Sequence, residues 1–166
     1  MKRVLIPVDG SPQSLAAVRA AVREGPASVE RIDLVNVQPL LNLHISRWIA
    51  RATREAWRAE RSSEALAPAR ALLDSSGIPW AAHTTAGPVA ACVNATAQAL
   101  HSDEIVVGAA RRGPFARAFA NSVSTQLLET SRVPVRVIPA AEAPIFGRVA
   151  LPAGLGLAAL LFIATD

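Results

Sequence analysis

Short apolar runs alternate along this chain with longer stretches in which apolar residues recur every three or four positions. The runs are Val4–Val8, Ile32–Val37, Ile105–Val107 and Val133–Ile138, with a weaker one at Trp80–Thr85. Parallel strands carry helices on both faces, so they read as unbroken apolar runs of this kind. Strands alternating with helical stretches predict βαβ units and an α/β fold built on a parallel sheet.

The helix limits are legible. Ser11-Pro12 places a hydroxyl at an N-cap and proline at the first helical position, where no amide partner is lost. Leu15, Val18 and Val22 then share a face, and Gly25-Pro26 stops the helix. Gly87-Pro88 opens another, with Val89, Val93 and Leu100 on its inner stripe, and Ser122 caps a last one that includes Leu127 and Leu128. In the long middle helix, Ile45, Ile49, Ala52, Ala56, Ala59, Ser63 and Leu66 form the expected stripe. Arg47, Arg51, Arg54, Arg58 and Arg61 follow the same spacing two positions later, about 200° around the axis, and form a solvated outer face. Glu55 sits one turn after Arg51 and softens that charge. Pro68 is expected to kink or end this helix before Leu72 and Leu73.

Composition narrows the class. With 166 residues, 51% hydrophobic and 18% charged, the chain fits one globular domain with a real core. Cys92 is the single cysteine, which excludes an intrachain disulfide and a multi-cysteine zinc site; it reads as a small core residue. The apolar run before Pro7 is too short for a signal-peptide core, so a cytoplasmic home is expected. The net charge is +4, carried by arginine with Lys2 the only lysine. Tyrosine is absent and aromatics are 4%, so platforms for stacking bases are scarce and nucleic acid is not the expected partner.

In an open parallel sheet, ligands bind beyond the carboxyl ends of strands, where the strand order reverses. Three segments point there: Pro7-Val8-Asp9-Gly10-Ser11, Val37-Gln38, and Val107-Gly108-Ala109-Ala110-Arg111 followed by Asn121-Ser122-Val123. No Gly-x-x-x-x-Gly-Lys and no Gly-x-Ser-x-Gly occurs, so a P-loop NTPase is excluded and no enzyme is expected. His44, His83 and His101 lack metal spacing and read as loop or surface residues. Asn94-Ala95-Thr96 is a glycosylation sequon by letters only.

Val4-Leu5-Ile6-Pro7-Val8-Asp9-Gly10-Ser11 resembles the opening strand of universal stress proteins. The stretch from Asp103 to Pro139 resembles their closing half: acidic residue, apolar strand, glycine, loop, Ser-Val-Ser, helix, and Val-Pro-Val before the last strand. Gly87-Pro88 fits as well, and the resemblance covers residues 1–139. It implies a flavodoxin-like (HUP-type) α/β fold, a five-stranded parallel sheet in the order 3-2-1-4-5 with helices on both faces, and commonly a homodimer. In one branch of that family it also implies bound ATP. The residues that match this nucleotide site are Pro7, Val8, Asp9 and Val37 toward base and ribose, with Val107, Gly108, Arg111, Asn121, Ser122 and Val123 around the phosphates. ATP or ADP, with Mg²⁺, is the implied ligand.

The phosphate loop departs from the family pattern of Gly, two residues, Gly, nine residues, Gly, then Ser or Thr. Gly108 and Ser122 match its ends, while Arg111 and Asn121 replace the second and third glycines. Asn tolerates positive φ better than most residues, so Asn121 can keep the backbone geometry. Arg111 obstructs a close approach of backbone amides, yet it can pair with phosphate directly, helped by Arg112. Two outcomes stay open: weak or conditional nucleotide binding by a stress-response regulator, or a dimeric interaction module that binds no nucleotide.

Residues 140–166 form an apolar extension beyond the family-like part. Val149–Ala164 holds sixteen residues without charge, fewer than the 18 or so of a spanning helix. It reads in three ways: packing against a partner subunit, the worn opening of a second repeat (Arg148–Ala153 echoes Arg3–Val8), or a membrane tail.

Overall fold

A computed structural model describes residues 1–39, 51–109 and 123–140. Their elements run β1 (Lys2–Pro7), α1 (Pro12–Glu24), β2 (Val29–Gln38), α2 (Arg51–Asp74), β3 (Trp80–Ala86), α3 (Val89–Ala99), β4 (Glu104–Ala109), α4 (Val123–Thr130) and β5 (Val135–Pro139). All pairings are parallel and the sheet order is β3-β2-β1-β4-β5, so the order reverses between β1 and β4. This is the flavodoxin-like α/β arrangement that the resemblance implied.

Alternation along each strand splits the core in two. Val4, Ile6, Ile32, Leu34 and Val106 pack against Ala17, Val18 and Ala21 of α1 and Leu66, Ala69 and Leu73 of α2. On the other face Leu5, Val35, Ile105 and Val107 meet Ala90, Val93 and Ala97 of α3 and Leu127 of α4. Asp103 ties β4 to β1 ahead of both layers: its carboxylate accepts the Arg3 N–H at 2.7 Å, and its N–H donates to the Arg3 carbonyl at 2.8 Å.

α2 departs from its expected phase. Its buried stripe is Ser62, Leu66, Ala69 and Leu73, whereas Ala56, Ala59 and Ser63 are exposed and Arg58 is half-buried. Alanine and serine carry too little hydrophobicity to set a helix phase; the leucines set it, and the Ser62 hydroxyl meets the Thr84 hydroxyl of β3 at 2.6 Å. The helix also runs through Pro68 to Asp74 rather than ending there. Pro68 and Glu64 are both exposed, so the carbonyl that loses its donor is open to water. Ile45, Ile49 and Arg47 lie outside the described residues.

The amino ends of β1, β4 and β5 converge under the last turn of α1. Lys2 Nζ contacts Glu104 Oε2 at 2.7 Å and Glu24 Oε2 at 2.9 Å. Arg136 closes the ring, with Nε 2.8 Å from Glu104 Oε1 and Nη2 2.5 Å from Glu24 Oε1. These last two contacts are ionic without hydrogen-bond alignment, since Arg136 Nε and Glu24 Oε1 are buried with no aligned partner. Hydrogen bonds that Lys2 donates to Glu104 and Glu24 raise its ammonium above the ordinary 10.5. Burial pushes the Glu24 carboxyl up, but Lys2 and Arg136 outweigh it and hold the group below its ordinary 4.5. Glu24 therefore adds stability above pH 4.5 that is lost as the pH falls through its lowered folded value. Lys2 adds stability below pH 10.5 that is lost as the pH rises through its raised value. Glu24→Gln is expected to cost about 1 kcal/mol at neutral pH and to flatten the acid limb of stability. Urea unfolding midpoints measured from pH 3 to 7 (an assay range of roughly four units around the carboxylate values) check both.

Candidate functional site

The strand order places the carboxyl ends of β2, β1 and β4 side by side, and the candidate residues Pro7, Val8, Asp9, Val37, Val107 and Gly108 all sit at that end. Val123 opens α4 and packs its side chain against the second core layer. Arg111, Asn121 and Ser122, and with them the expected cap of α4, lie outside the described residues. Val8 and Val107 are 2% and 3% exposed, so their side chains belong to the core and only their backbone can face a ligand.

Asp9 begins the turn from β1 into α1. Its Oδ1 accepts the Ser11 N–H at 3.0 Å, which is the turn-capping role open to any aspartate here. Asp9 is exposed as a residue, while its carboxyl rests against the turn and loses part of its hydration. Burial pushes that carboxyl up; the hydroxyl and N–H of Ser11, the Ser14 hydroxyl and its own N–H outweigh this and hold it below its ordinary value of 3.8. At neutral pH it is a carboxylate anion at the carboxyl end of β1, a group that accepts hydroxyl donors.

Two donors of the turn into α1 are already engaged, and a third is absent. Ser11 Oγ accepts the Ser14 N–H at 3.2 Å, Asp9 takes the Ser11 N–H, and Pro12 has none.

Gly108 has a role that the loop pattern did not reveal. A Cβ built on it would lie 1.8 Å from the Gln13 carbonyl oxygen, so the bare glycine lets the start of α1 settle onto β4. Gly10 adopts φ +81°, and a Cβ there would lie 3.3 Å from Ala65 Cα, so the turn after Asp9 passes tightly beneath α2.

Asn36 was missed, and Gln38 was placed at the crevice without a role. Asn36 and Gln38 are 3% and 8% exposed at the end of β2. Asn36 Nδ2 donates to the Val8 carbonyl at 2.6 Å, and Gln38 Nε2 donates to Asn36 Oδ1 at 2.5 Å. The available signal was two amides at alternate positions inside an apolar run, hence on one buried face. His83 also differs from expectation: it lies in β3, and its Nε2 is 2.9 Å from Oδ1 of Asp33, a carboxylate 1% exposed that also accepts Arg31 Nε at 3.1 Å. His101 is exposed at the end of α3, as expected, with φ +51°; His44 lies outside the described residues. Among the described residues no cluster suits a metal ion, and no helix is long and apolar enough to cross a membrane.

Comparison with known proteins agrees with this geometry. Residues 1–139 match the model of the Universal stress protein family. A universal stress protein family structure from Burkholderia pseudomallei is 25% identical, with 84% of this chain and 96% of that chain covered and a TM-score of 0.64. An Arabidopsis thaliana universal stress protein family structure with AMP bound is 14% identical, covering 86% and 94%, with a TM-score of 0.63. A universal stress protein in complex with cAMP is 17% identical, covering 84% and 98%, with a TM-score of 0.56. No curated protein matches the chain.

Gly108→Ala drives a methyl into backbone rather than into a movable side chain, and is expected to cost about 3 kcal/mol. Gly25→Ala, at φ +72° with nothing within 4 Å, is expected to cost about 1 kcal/mol from backbone strain alone. Denaturant midpoints of the two variants separate crowding from strain; equal losses would remove the close approach of α1 as the reason for glycine at 108.

Proposed function

This chain belongs to the universal stress protein family, and we propose that it is a cytoplasmic, non-catalytic stress-response regulator that binds an adenine nucleotide weakly or conditionally. The observation that carries the reading is the meeting of the β1, β2 and β4 ends at the reversal of strand order, with the anchored Asp9 just after β1 and Val37 and Gly108 near the ends of β2 and β4. Structures of the same fold bearing AMP or cAMP support an adenine ligand. Asp9 and the backbone of Val37 take the base and ribose, and Val123 stands at the start of α4 on the phosphate side. Arg111, Asn121 and Ser122 complete that side, with Arg111 supplying the charge that the missing glycine amides do not. Mg²⁺ accompanies ATP or ADP when one of them is the ligand.

Calorimetric titration of the full chain with AMP and with Mg-ATP tests this. Micromolar binding is expected, with Asp9→Ala weakening both ligands by about tenfold or more, the worth of one charged hydrogen bond. Arg111→Ala is expected to weaken ATP more than AMP. Failure of the wild-type chain to bind either nucleotide overturns the reading, and multiple turnovers of ATP by purified protein overturn its non-catalytic part.

A second reading has one observation in its favour. Val137 on the edge strand β5 is 37% exposed and Leu128 on α4 is 58% exposed. An interaction module that works as a homodimer through this edge and its tail uses that surface. Ala140 is 5% exposed and its N–H donates to the Ala109 carbonyl at 2.8 Å, so a clean truncation starts at residue 141. Under this reading, removing residues 141–166 shifts the mass measured by light scattering and leaves nucleotide affinity unchanged; an unchanged mass counts against it.

A further inference from the structure

We infer that the Asn36 carboxamide substitutes for a ladder bond at the end of β1, and so keeps the Val37 N–H open at the crevice for a planar heterocycle with an acceptor nitrogen. Asn36 is thus a positioning residue, and its part in ligand binding rests on the nucleotide reading of the site.

The register of β1 on β2 ends at Pro7 opposite Val35, and the Val8 N–H donates to the Val35 carbonyl at 2.9 Å. In a parallel ladder the N–H and C=O of alternate residues face the same neighbour. The next bond in sequence would therefore run from the Val37 N–H to the Val8 carbonyl. The donor that reaches that carbonyl is instead Asn36 Nδ2, at 2.6 Å. A carbonyl accepts and cannot donate, so the bond fixes which end of the amide points at Val8. Asn36 Oδ1 is held in turn by Gln38 Nε2 at 2.5 Å, and the Gln38 carbonyl accepts the Gly87 N–H at 3.1 Å, which ties the end of β2 to the turn after β3. Asn36 is 3% exposed and Gln38 is 8% exposed, so this pair is built into the fold.

Two consequences follow for the crevice. The Val8 carbonyl is satisfied without β2 backbone, so the chain can leave the sheet at Asp9 and turn through Gly10, whose φ is +81°. Val37 keeps its strand position, because it pairs with Thr85 of β3 and packs its side chain against the second core layer. Its N–H then faces the gap opened by the departure of Asp9. An unsaturated ring nitrogen is the group that completes such a donor.

Amide hydrogen exchange read by NMR on the full chain tests this, free and with AMP as the probe. In the free wild-type chain the Val37 amide is expected to exchange at least about a thousandfold faster than that of Val35, a ladder amide, and AMP is expected to slow it. In Asn36→Leu the Val8 carbonyl loses its donor and recruits the Val37 N–H. Val37 then becomes protected without ligand, and AMP affinity falls by about tenfold or more. Ile32→Val, which loosens the same strand without touching this amide pair, is expected to leave both readouts unchanged. A Val37 amide as protected as Val35 in the free wild-type chain overturns the inference, and so does an Asn36→Leu variant with unaltered Val37 exchange. If the wild-type chain binds no AMP, the nucleotide reading falls, while the exchange rates of the two free proteins still decide the role of Asn36. Asn36→Thr serves the same comparison if the leucine variant does not fold.

Discussion

The fold turns on the contact between α1 and the bare backbone of β4. At one end Gly108 admits the Gln13 carbonyl, which any side chain would expel. Along its middle α1 presents Ala17, Val18 and Ala21, so a small-residue stripe lies on the sheet. At its far end Glu24 is drawn down to Lys2 and Arg136. A helix held at both ends and flush between them cannot slide, and its first residues are placed over the junction of β1 and β4. Interiors packed this tightly deform in discrete steps rather than continuously. The crevice therefore inherits its geometry from packing that involves no ligand.

β2 carries the polar cost of that arrangement. Its inner positions include Asp33 on one face and Asn36 and Gln38 on the other, all less than a tenth exposed. A buried carboxylate without partners is strongly unfavourable, and Asp33 has Arg31 and His83 beside it. A buried amide is tolerable only when its donors and acceptors are met. The Asn36 amide meets the Gln38 amide and the Val8 carbonyl, and the Gln38 main-chain carbonyl accepts from Gly87 in the turn after β3. Polar groups that look out of place in a strand are here the fasteners of its carboxyl end.

Different parts of this molecule were legible to different degrees, for physical reasons. β1, β2 and β4 stood out because central parallel strands are covered on both faces, and Val4-Leu5-Ile6 and Ile105-Val106-Val107 are fully apolar in consequence. β3 was faint because it is an edge strand, and none of its residues is fully buried. The phase of α2 was misjudged because an Ala- and Arg-rich helix carries its hydrophobic signal in few residues, chiefly Leu66 and Leu73. Of the site, Asp9, Val37 and Gly108 were found from position at strand ends. The second task of Gly108 was not, because the atom it avoids belongs to Gln13, about 95 residues away in sequence and adjacent only through the crossover that the fold creates. Asn36 was passed over for the same reason: its partner is a carbonyl on a neighbouring strand.

The two halves of the candidate site rest on different foundations. Pro7, Val8, Asp9, Asn36 and Val37 sit at the ends of central strands, held by ladder bonds, buried amides and a capped turn. The departures from the family's loop pattern, Arg111 and Asn121, fall entirely on the phosphate side. A change confined to that side alters how phosphates are held and leaves the base end as the fold builds it. Under the proposed function, recognition of a heterocycle and recognition of its phosphates are then separable. Family membership secures the sheet on which the first half is built, while fold is shared by many functions and the site decides among them. The second half depends on what an arginine does where glycine amides would otherwise cradle an anion. A guanidinium offers charge and paired donors but fills the space through which backbone would approach. Under the proposed function, that exchange favours an anion paired with a side chain over one wrapped by a loop.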